Sequence, residues 1–370
     1  MGKTGFFRGW VLSCLCILTV VPLTGQQEDY FPKSQWRQGK AGEQGLDQEK
    51  IDAFVALLKQ KKILEPISSF TVIKNGYLVV DETFGSYKGT TPHTLQSVTK
   101  SITSTLVGVA IQNGFIKNLD QPVLHFFPEY TQIDYLDENK RAMTLKHALT
   151  MRTGQAWTGE RHLGALNRYS GDRMKYVLDY KMETRPGKQW YYNSGIAILL
   201  GGLLQNASGM PTQSFAKHYL FEPLSITKAK WSWGHRGIPH TGGGLFLRPK
   251  DMARIGYLYL RKGKWEGKQV LPEWWVEEAT RPHVPHAESI SGVSNIGYGY
   301  MWWLLPLDKK GKVTDPPAIY MAYGHWGQYI FVIPKHDMVI VFTNANTASY
   351  QEELKPISVL YSYVLPAVVN

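Results

Sequence analysis

Cysteine is almost missing from this chain of 370 residues, and the two present, Cys14 and Cys16, both lie within the first 25 positions. Residues 26–370 therefore carry no disulfide framework, no thiol nucleophile and no cysteine-ligated metal. A Gly-x-Ser-x-Gly elbow, a glycine-rich phosphate loop and a His-Glu-x-x-His pair are missing too, which leaves an α/β-hydrolase, a phosphate-loop protein and a zincin without support. His283 and His286 stand as a lone pair in a proline-containing loop and read as surface residues rather than zinc ligands. Neither a metal nor an organic cofactor is expected.

Long runs of like charge are also absent. The excess of 41 Lys and Arg over 30 Asp and Glu gives a net charge of +11, but it is scattered, with no cluster denser than Lys59, Lys61 and Lys62. Reading a nucleic-acid groove needs clustered charge, so no nucleic-acid partner is expected. A diffuse excess suits solubility, or peripheral attraction to an anionic surface such as a cell envelope. With 43% hydrophobic and 19% charged residues the chain has ordinary globular composition, and it is long enough to bury a substantial core.

Residues 1–25 read as a signal peptide for export, making the protein periplasmic or secreted. Lys3 and Arg8 precede a short apolar run, Trp10 to Val21, and Pro22 and Gly25 lead to a cut before Gln26. An uncleaved anchor and a lipoprotein box ending at Cys14 are the alternatives. The remainder, 26–370, has no internal repeat and no long Pro/Gly linker.

Leu46 to Lys62 has helical apolar spacing, and Phe70 to Phe84 reads as a β-hairpin around Asn75-Gly76, the favoured pair for a type I′ turn. A helix follows from Ser97 to Asn113. Residues 115 to 235 are mainly helical in pattern. Strands return at Gly299–Leu305, Ala318–Tyr323, Gln328–Ile333 and Met338–Thr343, before a closing helix over Glu352–Val369. The expected fold class is α+β: one antiparallel sheet built from the N- and C-terminal parts and flanked by helices, with an inserted mainly helical subdomain.

Three short patterns could carry chemistry. Ser97-Val98-Thr99-Lys100 places a hydroxyl and an amine on one helix face, at a helix start whose dipole favours an alkoxide-like nucleophile. The spacing recurs at Ser214/Lys217 and Ser225/Lys228, but only Ser97 opens a long apolar helix suited to burial. Tyr191-Tyr192-Asn193 offers a phenol for proton transfer and an amide for holding substrate or lysine; taken alone it reads equally as a core aromatic pair and a turn. His325-Trp326-Gly327, directly before an apolar strand, could let substrate approach a strand edge where Gln328 offers its N–H. His-x-Gly also occurs at His162, His235 and His240.

In this order the three patterns resemble the SxxK, YxN and KTG-type motifs of the serine β-lactamase/penicillin-binding superfamily, most nearly the branch with class C β-lactamases, DD-peptidases, β-lactamase-fold esterases and 6-aminohexanoate-dimer hydrolases. The likeness extends over roughly residues 45 to 365 and includes Leu145–Gly154, Gly242–Gly256 and Gly324–Pro334. It implies an acyl-enzyme on Ser97, with Lys100 and Tyr191 as catalytic proton relay. It implies that Asn193, His325, Trp326, Gly327 and Gln328 bind substrate, and that the N–H groups of Ser97 and Gln328 form the oxyanion hole. His325 stands where lysine is usual, a weaker anchor for a substrate carboxylate, which favours ester, amide or short peptide substrates over β-lactams. A DD-peptidase and a non-catalytic binder of cell-wall peptides remain the rival readings.

Overall fold

A computed structural model of the protein describes residues 1, 2, 5, 30–232, 234, 237–290, 293–347 and 349–369. The signal peptide expected at 1–25 falls almost wholly outside them. Among the described residues no helix is long and apolar enough to cross a membrane. All elements of the fold belong to one unit, Phe31–Asn370.

Asn75 and Gly76 both take positive φ, 52° and 75°, the backbone that a type I′ turn demands, and they join β1 (Ile67–Lys74) to β2 (Tyr77–Thr83). The remaining strands of the large sheet come from the far end of the chain: β3 (Val284–Ile290), β4 (Val293–Tyr298), β5 (Trp303–Leu305), β6 (Ile319–Gly324), β7 (Gln328–Ile333) and β8 (Met338–Asn344). Their order across the sheet is β2-β1-β8-β7-β6-β5-β4-β3, antiparallel throughout. The N-terminal hairpin thus closes onto the last strand, with Phe70 opposite Phe342 and their rings stacked at 4.9 Å.

Helices cover both faces, so β1, β7 and β8 are buried along their whole lengths, and β7 and β8 read as nearly continuous apolar runs rather than alternating ones. Helix α1 (Gln48–Lys59), capped by Asp47, brings Phe54 against Phe70 at 5.1 Å. Between β2 and β3 the chain is mainly helical, and there α2 (Val98–Gln112) and α3 (Ser194–Ser208) pack on each other. Helix α4 (Pro249–Leu260) lies on β1, β7 and β8, and α5 (Tyr350–Val359) begins the C-terminal helical segment.

Two details depart from expectation. The apolar run Gly299–Leu305 is a tight turn followed by a short strand: Met301 has φ 60°, Gly299 N–H donates to Trp302 O (2.8 Å), and only Trp303–Leu305 pairs with its neighbours. The whole of Tyr300–Leu305 is buried, so its apolar content marks burial and not strand. Strands β3 and β4, with His286, Glu288 and Asn295, are too polar to stand out by hydrophobic pattern.

Helix α2 is buried from Val98 to Ala110 and is held by its hydroxyls as much as by its apolar atoms. Ser101 Oγ donates to Met301 O (2.6 Å), Thr103 Oγ1 to Thr241 O (2.8 Å), and Thr105 Oγ1 lies 3.0 Å from Tyr259 Oη. At Gly108 the helix passes so close to Trp275 that a first side-chain carbon would lie 2.5 Å from the indole. Gly108→Ala is expected to lower stability by about 1–3 kcal/mol through overpacking, read as a lower urea midpoint at unchanged slope.

Candidate active site

The chain turns sharply into α2. Gln96 is held at φ 47°, unusual for a residue with a side chain, and Ser97 occupies the helix N-cap with a hydroxyl that makes no capping bond. One turn on, Lys100 Nζ donates to Ser97 Oγ at 2.7 Å and to Gly242 O at 2.6 Å, and the residue is 1% exposed. The Ser–Lys pair expected from the spacing is formed. The rival Ser214, Lys217 and Ser225 instead line a separate cavity of about 860 Å³, where Lys217 is exposed and 3.7 Å from Glu222.

The two tyrosines separate. Tyr191 sends its hydroxyl outward to Gln189 Oε1 (3.0 Å), while the ring centroid of Tyr192 lies 5.0 Å from Lys100 Nζ. Tyr192 packs among Trp190, Tyr298 and Trp303, at centroid distances of 6.4, 6.4 and 5.6 Å. The ring that meets Lys100 is that of Tyr192 and not of the expected Tyr191. The cause is local. Tyr191 N–H is tied to Met151 O and Asn193 is fixed as the cap of α3, so the intervening residue is the one directed at α2.

Asn193 is buried, its Oδ1 accepts from Ile196 N–H (3.1 Å) and its Nδ2 donates to Gln155 Oε1 (3.2 Å). Its oxygen thus serves as the cap of α3, and one of its two amide hydrogens is held by Gln155.

The third motif forms the turn between β6 and β7. Trp326 and Gly327 take φ 64° and 79°. Gly324, at the end of β6, lies directly on the start of α2: a first side-chain carbon there would come 3.0 Å from Ser97 N. His325 follows and reaches the pocket, whereas Gln328 is fully buried, its Nε2 donating to Asn344 O (2.8 Å). Of the third motif, His325 is the residue that lines the pocket. The N–H groups of Ser97 and His325 have no backbone partner among the described residues.

The pocket at Ser97 has a volume of about 260 Å³ and is walled by Lys100, Leu163, Asn167, His240 and His325 together with Gly242 to Gly244. His240 was one of several His-x-Gly candidates in the sequence; the three glycines that follow it are the signal that could have singled it out. Its Nε2 lies 3.3 Å from Asn167 Oδ1. Burial, and then the positive charge of Lys100, push its pKa down from 6.5 to about 4. Among the described residues no group of three or more His, Cys, Asp or Glu side chains is placed to hold a metal.

Comparison with known proteins gives the family and the fold. The profile of the β-lactamase family matches residues 61–357, most of the chain. The chain belongs to the β-lactamase family. Members of this family are hydrolases of the β-lactamase superfamily. Among curated proteins, the 6-aminohexanoate-dimer hydrolase of Paenarthrobacter ureafaciens is 23% identical over 289 residues, 74% of this chain and 71% of that one. Among solved structures, EstCE1, a hydrolase with promiscuous acyltransferase activity, superposes with a TM-score of 0.67 at 16% identity, covering 85% of this chain and 99% of its own. A class C β-lactamase superposes with a TM-score of 0.64 at 16% identity, covering 86% and 95%. Both superpositions speak for the fold.

The pKa of His240 in this β-lactamase-family site has a consequence for stability. Between 6.5 and about 4 the unfolded chain binds a proton at His240 that the folded chain does not, so stability falls as pH falls through that window. The expected contribution is up to about 3 kcal/mol, measured as the difference in urea-derived stability between the wild type and His240→Gln at pH 7.5 and pH 4.5; the variant should lose less.

Proposed function

We propose that the protein is a serine hydrolase that transfers the acyl group of a small ester or amide first to Ser97 and then to water. The observation that carries this reading is the 2.7 Å bond from buried Lys100 to the uncapped hydroxyl of Ser97, inside a pocket. In its uncharged form Lys100, with Tyr192 beside it, takes the serine proton as the Oγ–C bond forms. The N–H groups of Ser97 and His325 stabilise the negative charge that develops on the carbonyl oxygen. This revises the expected relay, Tyr192 standing in for Tyr191, and the expected donor, His325 standing in for Gln328.

The walls also favour a neutral acyl group. Lys100 is committed to Ser97 and Gly242, His240 is uncharged near neutral pH, and His325 Nδ1 is committed to Glu353 at 2.6 Å. A substrate carboxylate finds no uncommitted cation among these groups, which argues for esters, amides or linear oligoamides ahead of β-lactams. The resemblance to a hydrolase named for aminohexanoate dimers supports an amide as the bond cleaved.

Intact mass after exposure to a fluorophosphonate probe tests the nucleophile: one adduct on the wild type and none on Ser97→Ala is expected. No adduct on the wild type would instead favour a binding protein. Tyr192→Phe should lower kcat/KM by about 10²–10⁴-fold, while Tyr191→Phe, at a surface position, should change it by no more than about twofold. Export is part of the proposal, and N-terminal sequencing of protein recovered outside the cytoplasm should begin at Gln26.

A further inference from the structure

Acyl transfer moves two protons. One leaves Ser97, and Lys100 receives it from inside the protein. The other must reach the leaving group as its bond to carbon breaks, and a poor leaving group cannot depart without it. Of the two histidines at the pocket, His325 is the one held against a carboxylate.

His325 stands at the pocket with its side chain 60% exposed, and its Nδ1 lies 2.6 Å from an oxygen of Glu353, a carboxylate only 3% exposed. Glu353 comes from α5, remote in sequence, and it is held tightly. It accepts from the Tyr323 hydroxyl and from Trp326 N–H (2.9 Å), and its own backbone carbonyl accepts from Tyr329 Oη (3.1 Å). Several donors around two oxygens are what a buried carboxylate requires. At 2.6 Å from a carboxylate oxygen, Nδ1 must carry a proton, so Nε2 is the nitrogen left to exchange one with substrate or water. The Trp326 ring, centroid 5.2 Å away, flanks the imidazole, and the positive φ of Trp326 and Gly327 fixes the turn that presents it.

We propose that His325 is the general acid of acylation and the general base of deacylation, with Glu353 as its positioning residue; the proposal rests on Ser97 being the nucleophile. In acylation the Ser97 proton passes to the uncharged Lys100 amine and the Oγ–C bond forms. As the bond from carbon to the leaving oxygen or nitrogen breaks, His325, which starts doubly protonated against the Glu353 carboxylate, gives that atom the proton on Nε2. In deacylation a water gives its proton to His325 Nε2 while its oxygen bonds the acyl carbon. Lys100 then returns its proton to Ser97 Oγ as the ester bond breaks. One water is consumed, and every group ends in its starting state.

The test is the dependence of kcat/KM on the leaving group, across 4-nitrophenyl, phenyl and ethyl acetate. All three form the same acetyl-enzyme, so kcat/KM isolates acylation. 4-Nitrophenolate departs without help, whereas ethoxide needs a proton. His325→Gln should lower the ratio of ethyl to 4-nitrophenyl acetate kcat/KM by at least about tenfold, and Glu353→Gln should lower it less, in the same direction. A purely structural role would slow all three substrates alike. An unchanged ratio in His325→Gln overturns the proposal. Fluorophosphonate labelling of Ser97, run on the same samples, keeps the two readings apart: a labelled Ser97 with an unchanged ratio removes only the role of His325, and an unlabelled wild type removes the nucleophile itself.

Discussion

An amine with almost no solvent around it organises this protein. Lys100 is buried in the first turn of α2, and its nitrogen meets a hydroxyl, a backbone carbonyl and an aromatic face, each supplied by a different part of the chain. A buried cationic group without such partners would be strongly destabilising. The loop at Gly242, the tyrosine before α3 and the corner at Ser97 therefore have to be where they are. Even the hydroxyls that line α2, bonded to Met301, Thr241 and Tyr259, hold that helix in the register that keeps Lys100 among its partners.

The sheet reaches the same point from the other side. Its strand β6 ends in Gly324, and only a residue without a side chain can lie so close to Ser97 N. The turn that follows is stiffened by the Glu353 carboxylate from the first turn of α5 as well as by its own bonds. The site is thus made where three layers meet: the buried helix α2, the edge of a hairpin turn, and a C-terminal helix that covers it.

Volume alone does not find this place. The cavity of about 860 Å³ beside Phe221, Ile226 and Trp231 is larger than the 260 Å³ pocket at Ser97, and it contains serines and a lysine at the same sequence spacing. What differs is commitment. There the lysine is exposed and faces a glutamate; at α2 it is buried and donates to the serine.

The local readings that held are those decided within a few residues. Asn75-Gly76 turns a hairpin because those two residues tolerate positive φ, and Ser97 and Lys100 meet because three residues along a helix bring side chains to one face. The centre of the antiparallel sheet, too, was legible, because β7 and β8, buried on both faces, leave apolar runs, whereas the polar β3 and β4 at its edge were not. The choice between Tyr191 and Tyr192 was not legible, since adjacent aromatics carry the same pattern until a cap at Asn193 and a bond to Met151 orient them. Nor were His240 and Glu353, single residues whose meaning lies in a neighbour 140 positions away for the first, Lys100, and 28 away for the second, His325. The sequence by itself determined the elements and the Ser–Lys pair, which depend on chain-local geometry. Only the tertiary structure decided which tyrosine, which histidine and which N–H face that pair, because burial and approach between distant segments are properties of packing and leave no spacing to read.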